Sequence, residues 1–401
     1  MRPMKRLIQF EDALRIALDR ANPVTDKEKI PLASSSGRVV AEDITSRISV
    51  PPFSRSAMDG YAVKARETYG ATKLDPVRLR LREKIYAGSV PRKAVRVGEC
   101  SEIATGAMLP KGADAVVMVE NTERDGEEIL ISDSVHPGQN VSKKGEDIVP
   151  GARIATIGEL LNPSKVGAIA ALGISRVTVF KKPLVAVVPT GNEVAEAGKP
   201  LKPGQVYNIN SYTLSSVIVA NGGEPRVLGI VNDSVGDLRK VVRENSDCHM
   251  IVFSGGSSVG ERDVILDVIE SEGSVLFHGI AVKPGKPTIF GIVRKQLVFG
   301  MPGYPTACLS NGYILLAPVL RRVARLPETV PMTTKAKMAK RVVSTTGRAQ
   351  FLTVRLEHGF AYPAFKESGA ITSMAFADGY IMIPADVDLV ERNEEVLVYL
   401  L

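Results

Sequence analysis

The chain has 401 residues, 44% of them hydrophobic, and a formal net charge of +7. That length allows about two to four domains with several cores, and no apolar run reaches the roughly 20 residues of a membrane-spanning helix. Lys and Arg are interspersed with Asp and Glu rather than clustered, which argues against nucleic acid and for a small anionic ligand. Cys100, Cys248 and Cys308 stand far apart, and neither they nor the four histidines show zinc-type spacing. They read as buried thiols of a reducing compartment. The basic N-terminus is followed by Glu11 and Asp12, which speaks against a signal peptide, so a cytoplasmic location is expected.

Phe10, Leu14 and Leu18 have the spacing of one helix face, and Pro23 ends that helix. From about residue 30 to 141, short runs such as Val77-Arg-Leu-Arg-Leu81 and Ala115-Val-Val-Met-Val119 alternate with Gly, Pro and Asp turns, the texture of an all-β module. A helix returns with Asn162 as cap, Pro163 in the first turn and Gly173 at the close. The first region is therefore expected to span 1–178, a helical part with a β module inserted at about 46–143.

Residues 179–326 alternate strand and helix. The predicted strands are Leu184-Val-Ala-Val-Val188, Val227-Leu-Gly-Ile-Val231, Met250-Ile-Val-Phe253, Ile289-Phe-Gly-Ile-Val293 and Gln296-Leu-Val-Phe299. Helices are expected from a cap at Asn210 or Ser211, from about Val235, around Ile265 to Glu270, and from Pro305 to near Arg325. Fully apolar strands alternating with helices imply a central three-layer α/β domain with a mostly parallel sheet. Residues 327–401 alternate in short runs and read as a small β-barrel-like domain. His249 opens an apolar run and reads as structural.

Pro51-Pro-Phe-Ser-Arg-Ser-Ala-Met-Asp-Gly-Tyr61 is too polar and turn-rich for a core strand. It reads as a shaped loop presenting Ser54, Arg55, Ser56 and Asp59. In a doubly wound sheet, ligands bind beyond the carboxyl ends of the strands. Three strand-end loops stand there: Pro189-Thr-Gly-Asn-Glu193, the loop from Ser254-Gly255-Gly256-Ser257 to Asp263, and Gly300-Met-Pro302-Gly-Tyr-Pro305-Thr306. A glycine-rich loop followed by a helix suits an anion. Glu193, Asp233 and Asp263 each follow a predicted strand, an arrangement suited to holding Mg²⁺ beside phosphates, with a helix cap or an exposed charge as the plain alternative for each. Lys283 and Lys286, on the stiff loop Val282-Lys-Pro-Gly-Lys-Pro287, could clamp anionic charge. Thr105 and Asp147 lie in turns that, on the residues alone, read as ordinary polar turns.

Seven elements then occur in order: Pro-Phe-x-x-Ser-Ala-Met-Asp-Gly-Tyr-Ala, Ala-Thr-Gly-Ala-x-Leu-Pro, Lys-x-Gly-Glu-Asp-Ile, Pro-Thr-Gly-x-Glu, Ser-Gly-Gly-x-Ser-x-Gly-x-x-Asp, Val-Lys-Pro-Gly-Lys-Pro and Gly-x-Pro-Gly-x-Pro. Over essentially its whole length the chain resembles the molybdopterin molybdenumtransferase family, which includes bacterial MoeA, the plant molybdenum insertase domain and the gephyrin E domain. The resemblance implies a homodimer with its active cleft between subunits. It implies Mg²⁺-assisted delivery of molybdate or tungstate to adenylated molybdopterin, with release of AMP. Catalytic positions would be Asp59, Thr105, Asp147, Glu193, Asp233 and Asp263, with Glu193 and Asp263 on the metal. Substrate would meet Ser56, Ser254, Gly255, Gly256, Ser257, Lys283, Lys286, Pro302, Pro305, Arg348, Ser368 and Ser373.

Some positions depart from the commoner bacterial pattern. Asn192 stands for a frequent Asp, Gly279 for a Lys, Tyr304 for an Asn, and Ser257 for an apolar residue. Two rival readings remain at this point: a molybdopterin adenylyltransferase, which would consume ATP and would not need the first and last modules, and a non-catalytic gephyrin-like scaffold. An adenylyltransferase is also a candidate partner handing over the substrate.

Overall fold

The computed structural model describes residues 7–255, 263–366 and 369–401. The chain divides into two compact units, one of residues 29–36 and 40–178, the other of residues up to 28, 37–39 and 179–401. The first predicted helix forms as α1 (Phe10–Arg20) in the second of these, with Ala13 and Ala17 fully buried on its apolar stripe.

The unit of residues 29–36 and 40–178 is built on a six-stranded sheet of β1 (Gly60–Val63), β2 (Val77–Ile85), β3 (Glu99–Ile103), β4 (Ala115–Met118), β5 (Thr122–Asp125) and β6 (Glu128–Ile131), in the order β4-β1-β3-β2-β6-β5. All pairings are antiparallel except β2 with β3. Leu79, Cys100, Val117, Ile129 and Ile131 close its core. α2 (Pro163–Ala171) starts as its residues require. The Asn162 side chain accepts from the Lys165 amide at 2.8 Å, and Pro163 sits where no amide is needed. Such a cap contributes about 1 kcal/mol.

In the other unit, β7 (Leu184–Pro189), β8 (Glu224–Val227), β9 (Met250–Ser254), β10 (Gly273–His278), β12 (Ile289–Val293) and β13 (Gln296–Met301) form a sheet in the order β8-β7-β9-β13-β12-β10, with β11 (Val282–Lys283) outside it. β8, β7, β9 and β13 run parallel, and β12 and then β10 join at one side through antiparallel pairings. The central strands are apolar throughout because both faces are covered. Val185, Val187, Val252 and Phe299 pack with α1, α3 (Asn210–Ala220) and the helix after β13. Ala186, Val188, Ile251, Phe253 and Val298 pack with α4 (Val235–Glu244) and α5 (Val264–Glu272). Period-two alternation between two cores is what a sheet buried on both sides dictates.

Three expectations need correction. The strand expected at 227–231 is instead β8, which ends at Val227, and only Val231 bridges onward, to Thr190. The cap of α3 is neither Asn210 nor Ser211; the Ser211 amide donates to Asn208 Oδ1 at 3.1 Å. The long final helix is α6 (Pro305–Asn311), a π-helical turn at Gly312–Leu316 and α7 (Ala317–Val323).

The C-terminal segment contributes β14 (Thr333–Met338), β15 (Ala349–Glu357), β16 (Phe360–Pro363), the short α8 (Thr372–Ala375), β17 (Gly379–Ile383) and β18 (Glu395–Leu400). Its sheet runs β11-β15-β16-β14-β18-β17 and closes on itself through β15 with β17, giving the expected small barrel. Closure leaves no free edge around the barrel wall.

Candidate active site

Four loops leave the carboxyl ends of β8, β7, β9 and β13 side by side. Val231 donates to the Pro189 carbonyl at 3.0 Å, Thr190 to Ser254 at 3.0 Å, and Gly255 to Met301 at 3.2 Å. These bonds set the segments bearing Asp233, Glu193, Ser254 and Pro302 in a row. Gly255 has φ +109°, and a Cβ there would collide with the Thr190 carbonyl, so only glycine lets these loops approach. Asn210 Nδ2 ties the last loop to α3 by donating to the Gly303 carbonyl at 2.9 Å. Thr190 Oγ1, Asn210 Oδ1 and Ser211 Oγ are buried without a hydrogen-bond partner among the described residues. Each such group carries a desolvation cost of about 1–3 kcal/mol, which a bound polar ligand would relieve.

The basic groups come from β11 and the barrel. Val282 pairs with Ala349 and Lys283 with Gln350 in a parallel ladder, so Lys283 stands beside the start of the strand that Arg348 precedes. Lys283 and Lys286 are half-buried and have no carboxylate partner among the described residues. The loop before α6 joins the same region. Thr306 Oγ1 donates to the Ala370 carbonyl at 3.1 Å, and the turn it meets carries Ser373, whose Oγ accepts from the Lys366 amide at 3.0 Å. Lys283 and Arg348 are thus neighbours through the ladder, and Pro305 and Ser373 through the Thr306 bond, although the members of each pair are more than 60 positions apart in the chain.

The acids behave differently from one another. Asp263 is buried at 7% exposure and caps α5, accepting from the Leu266 amide at 3.2 Å, while its other oxygen lies 3.2 Å from His278 Nε2. The helix-cap alternative is therefore met at Asp263, and His278 contacts this carboxylate. Glu193 is exposed and folds back over the Gly191 backbone. Asp233 is exposed, and the neighbouring Ser234 caps α4 in its place. Among the described residues no group of three or more His, Cys, Asp or Glu could hold a metal ion, so the three acids do not converge on one cation. Oxygen donors on Glu193 and Asp263 nevertheless suit Mg²⁺, which takes one or two carboxylates and completes its shell with phosphate and water.

In the unit of residues 29–36 and 40–178, Asp59 Oδ1 accepts from the Thr105 amide at 2.7 Å, and the Gly106 amide donates to the Ser56 carbonyl at 2.8 Å. Two loops more than 40 residues apart in sequence are thereby locked together. Ser56 is buried, and its hydroxyl donates to the Met58 carbonyl at 2.5 Å, so it shapes the loop. The Asp147 amide donates to the Val50 carbonyl at 3.0 Å, and a groove of about 370 Å³ is lined by Val50, Pro51, Arg55, Ser142, Glu146 and Asp147.

Residues 8–173 match the MoeA N-terminal region (domain I and II), residues 186–322 the probable molybdopterin binding domain, and residues 335–401 the MoeA C-terminal region (domain IV). Molybdopterin molybdenumtransferase 2 of Mycobacterium tuberculosis is 32% identical over 99% of both chains. The chain belongs to the MoeA family. The molybdopterin molybdenumtransferase of Bacillus subtilis is 31% identical over 94% of this chain and 90% of its own. Among solved structures, two molybdopterin biosynthesis MoeA proteins of Pyrococcus horikoshii superpose with TM-scores of 0.84 and 0.82. They are 41% and 32% identical and cover 98% and 99% of this chain, and 99% and 100% of their own.

Within this MoeA-family chain, Gly256, Ser257 and Ser368 lie outside the described residues. Sequence reasoning missed Thr190, Asn210 and Asn311, buried polar residues beside the loops. Thr190 had a signal, the small polar residue directly after an apolar strand. Asn210 was read as a helix cap, whereas its amide faces the Gly303 carbonyl.

Proposed function

We propose that this MoeA-family protein inserts molybdate or tungstate into adenylated molybdopterin, cleaving the adenylate and releasing AMP. The observation that carries the reading is the Lys283–Arg348 neighbourhood, whose lysine loop runs into β12 at Ile289, the ladder partner of Gly300 just before the strand-end loop bearing Pro302. Two cationic residues suit a doubly charged tetrahedral oxyanion, while strand-end backbone suits the phosphates and the pterin. The unpaired hydroxyls of Thr190 and Ser211 and the unpaired amide oxygen of Asn210 support a polar ligand.

Glu193 and Asp263 would hold Mg²⁺, which when bound would neutralise phosphate charge as the bond to AMP breaks. Asp59, Thr105 and Asp147 are assigned catalytic roles by the same family reading, with Asp233 an exposed acid of that set. Ser56 supports its loop, and Lys286, Pro305 and Ser373 border the oxyanion. The working form is a cytoplasmic homodimer with its active site between subunits. Among the described residues no helix is long and apolar enough to cross a membrane.

The deciding experiment is AMP release from adenylated molybdopterin with Mg²⁺, with and without molybdate or tungstate. Oxyanion-dependent release supports insertion, and the preferred oxyanion identifies the metal. A folded protein that releases no AMP with either, or one that consumes ATP instead, overturns the reading.

A further inference from the structure

Asn311 is fully buried at the end of α6, where the helix passes into its π-helical turn. Its Nδ2 donates to two groups of the lysine loop, the Gly285 carbonyl at 3.0 Å and Thr288 Oγ1 at 2.6 Å. The Thr288 hydroxyl in turn donates to the same Gly285 carbonyl at 2.8 Å. The three groups close a triangle inside the loop. A Cβ at Gly285, whose φ is +114°, would stand 2.5 Å from both amide atoms of Asn311, so glycine is required there by both space and conformation. The other end of the same helix holds Thr306, bonded to Ala370, and follows the loop that Asn210 fixes at Gly303.

We propose that Asn311 is the positioning residue for Lys283 and Lys286, and that α6 serves as one brace for the lysine loop and the Pro302–Pro305 loop together. A helix is stiff along its length. Anchoring one loop at its first turn and the other at its last fixes the spacing between the residues that shape the oxyanion pocket and those that carry its charge. Both donors of a buried amide are used, one on a carbonyl and one on a hydroxyl, and an aliphatic residue of similar size would leave only the Thr288–Gly285 bond of the triangle. This assignment rests on the reading that the two lysines hold anionic substrate.

The test uses Thr288→Val, which keeps volume and removes the hydroxyl, Thr288→Ser, which keeps the hydroxyl, and Asn311→Asp, which turns an acceptor towards the Gly285 carbonyl. Thr288→Val and Asn311→Asp each remove two of the triangle's three bonds, which should raise the apparent KM for the oxyanion at least about tenfold, with a smaller change in kcat. Thr288→Ser should stay within about twofold of wild type. Hydrogen exchange of the non-proline amides of residues 280–288 should accelerate in the Val and Asp variants and not in Thr288→Ser, with β7 and β9 unchanged. Val and Asp variants equal to wild type in both KM and loop exchange overturn the proposal, as does exchange that rises uniformly over the domain. If wild type shows no oxyanion-dependent turnover, the reading of the lysines fails. Loop exchange then decides the brace by itself, confinement to residues 280–288 supporting it and any other pattern overturning it.

Discussion

His278 Nε2 lies 3.2 Å from Asp263 Oδ2, and the other oxygen of that carboxylate caps α5 at the Leu266 amide. One buried acid is therefore fixed from two elements, the end of β10 and the start of α5. Its orientation is set before any ligand arrives, and preorganised charge of this kind is what electrostatic catalysis uses.

Asp263→Asn keeps an oxygen for the cap and removes the charge. Turnover should fall by at least about 100-fold, while the melting temperature moves little. Asp263→Ala should lose the cap as well, at about 1 kcal/mol. Turnover and thermal melting measured on both variants separate charge from folding. Near-normal turnover in Asp263→Asn would remove Asp263 from the catalytic set.

Asp59 and Thr105 make the corresponding pair in the other unit, joined at 2.7 Å. Both residues are exposed, so the bond adds little to global stability. Asp59→Ala should cost less than about 1 kcal/mol in urea unfolding yet abolish most AMP release. A variant with full activity would mean that the carboxylate only shapes the turn.

These sites were unequally legible in the sequence. The α2 start could be read because capping is local: Asn162, Pro163 and Gly173 carry their own backbone requirements. β7, β9 and β13 could be read because double burial forces continuous apolar runs. β8 was misplaced because it is an edge strand with a single partner, where Pro225 and Arg226 are tolerated. β10 was missed because it follows α5 directly, with Gly273 joining helix to strand without a turn signature. The neighbourhood of Lys283 and Arg348 depends on a ladder between residues far apart, which no local pattern encodes. Asn311 looked like one more residue of a long helix, and only its distances to Gly285 and Thr288 show its use.

The thiols give a prediction independent of activity. Burial pushes Cys100 up to about 12, pushes Cys308 up as well, and raises Cys248. All three are free and buried. At neutral pH they stay protonated and out of reach, and the thiolate is the reactive form. A thiol-specific chromogenic reagent should react with none of them rapidly in the native protein and with all three in denaturant. A fast-reacting native thiol would contradict the buried assignment.

His249 links folding to pH. Burial holds its imidazole below the ordinary 6.5, against smaller opposing effects of Asp26 and Asp247. The Leu184 amide donates to His249 Nδ1 at 3.1 Å, a bond that requires that nitrogen to be unprotonated. The unfolded chain therefore binds a proton near 6.5 that the folded chain resists. Stability attributable to His249 is fully present above 6.5 and declines as pH falls from there towards the folded value. His249→Asn offers an oxygen in place of Nδ1 and does not titrate. Urea midpoints measured from about pH 7.5 down to about pH 5.5 should fall more steeply for wild type than for His249→Asn. Equal slopes would show that His249 titrates alike in both states.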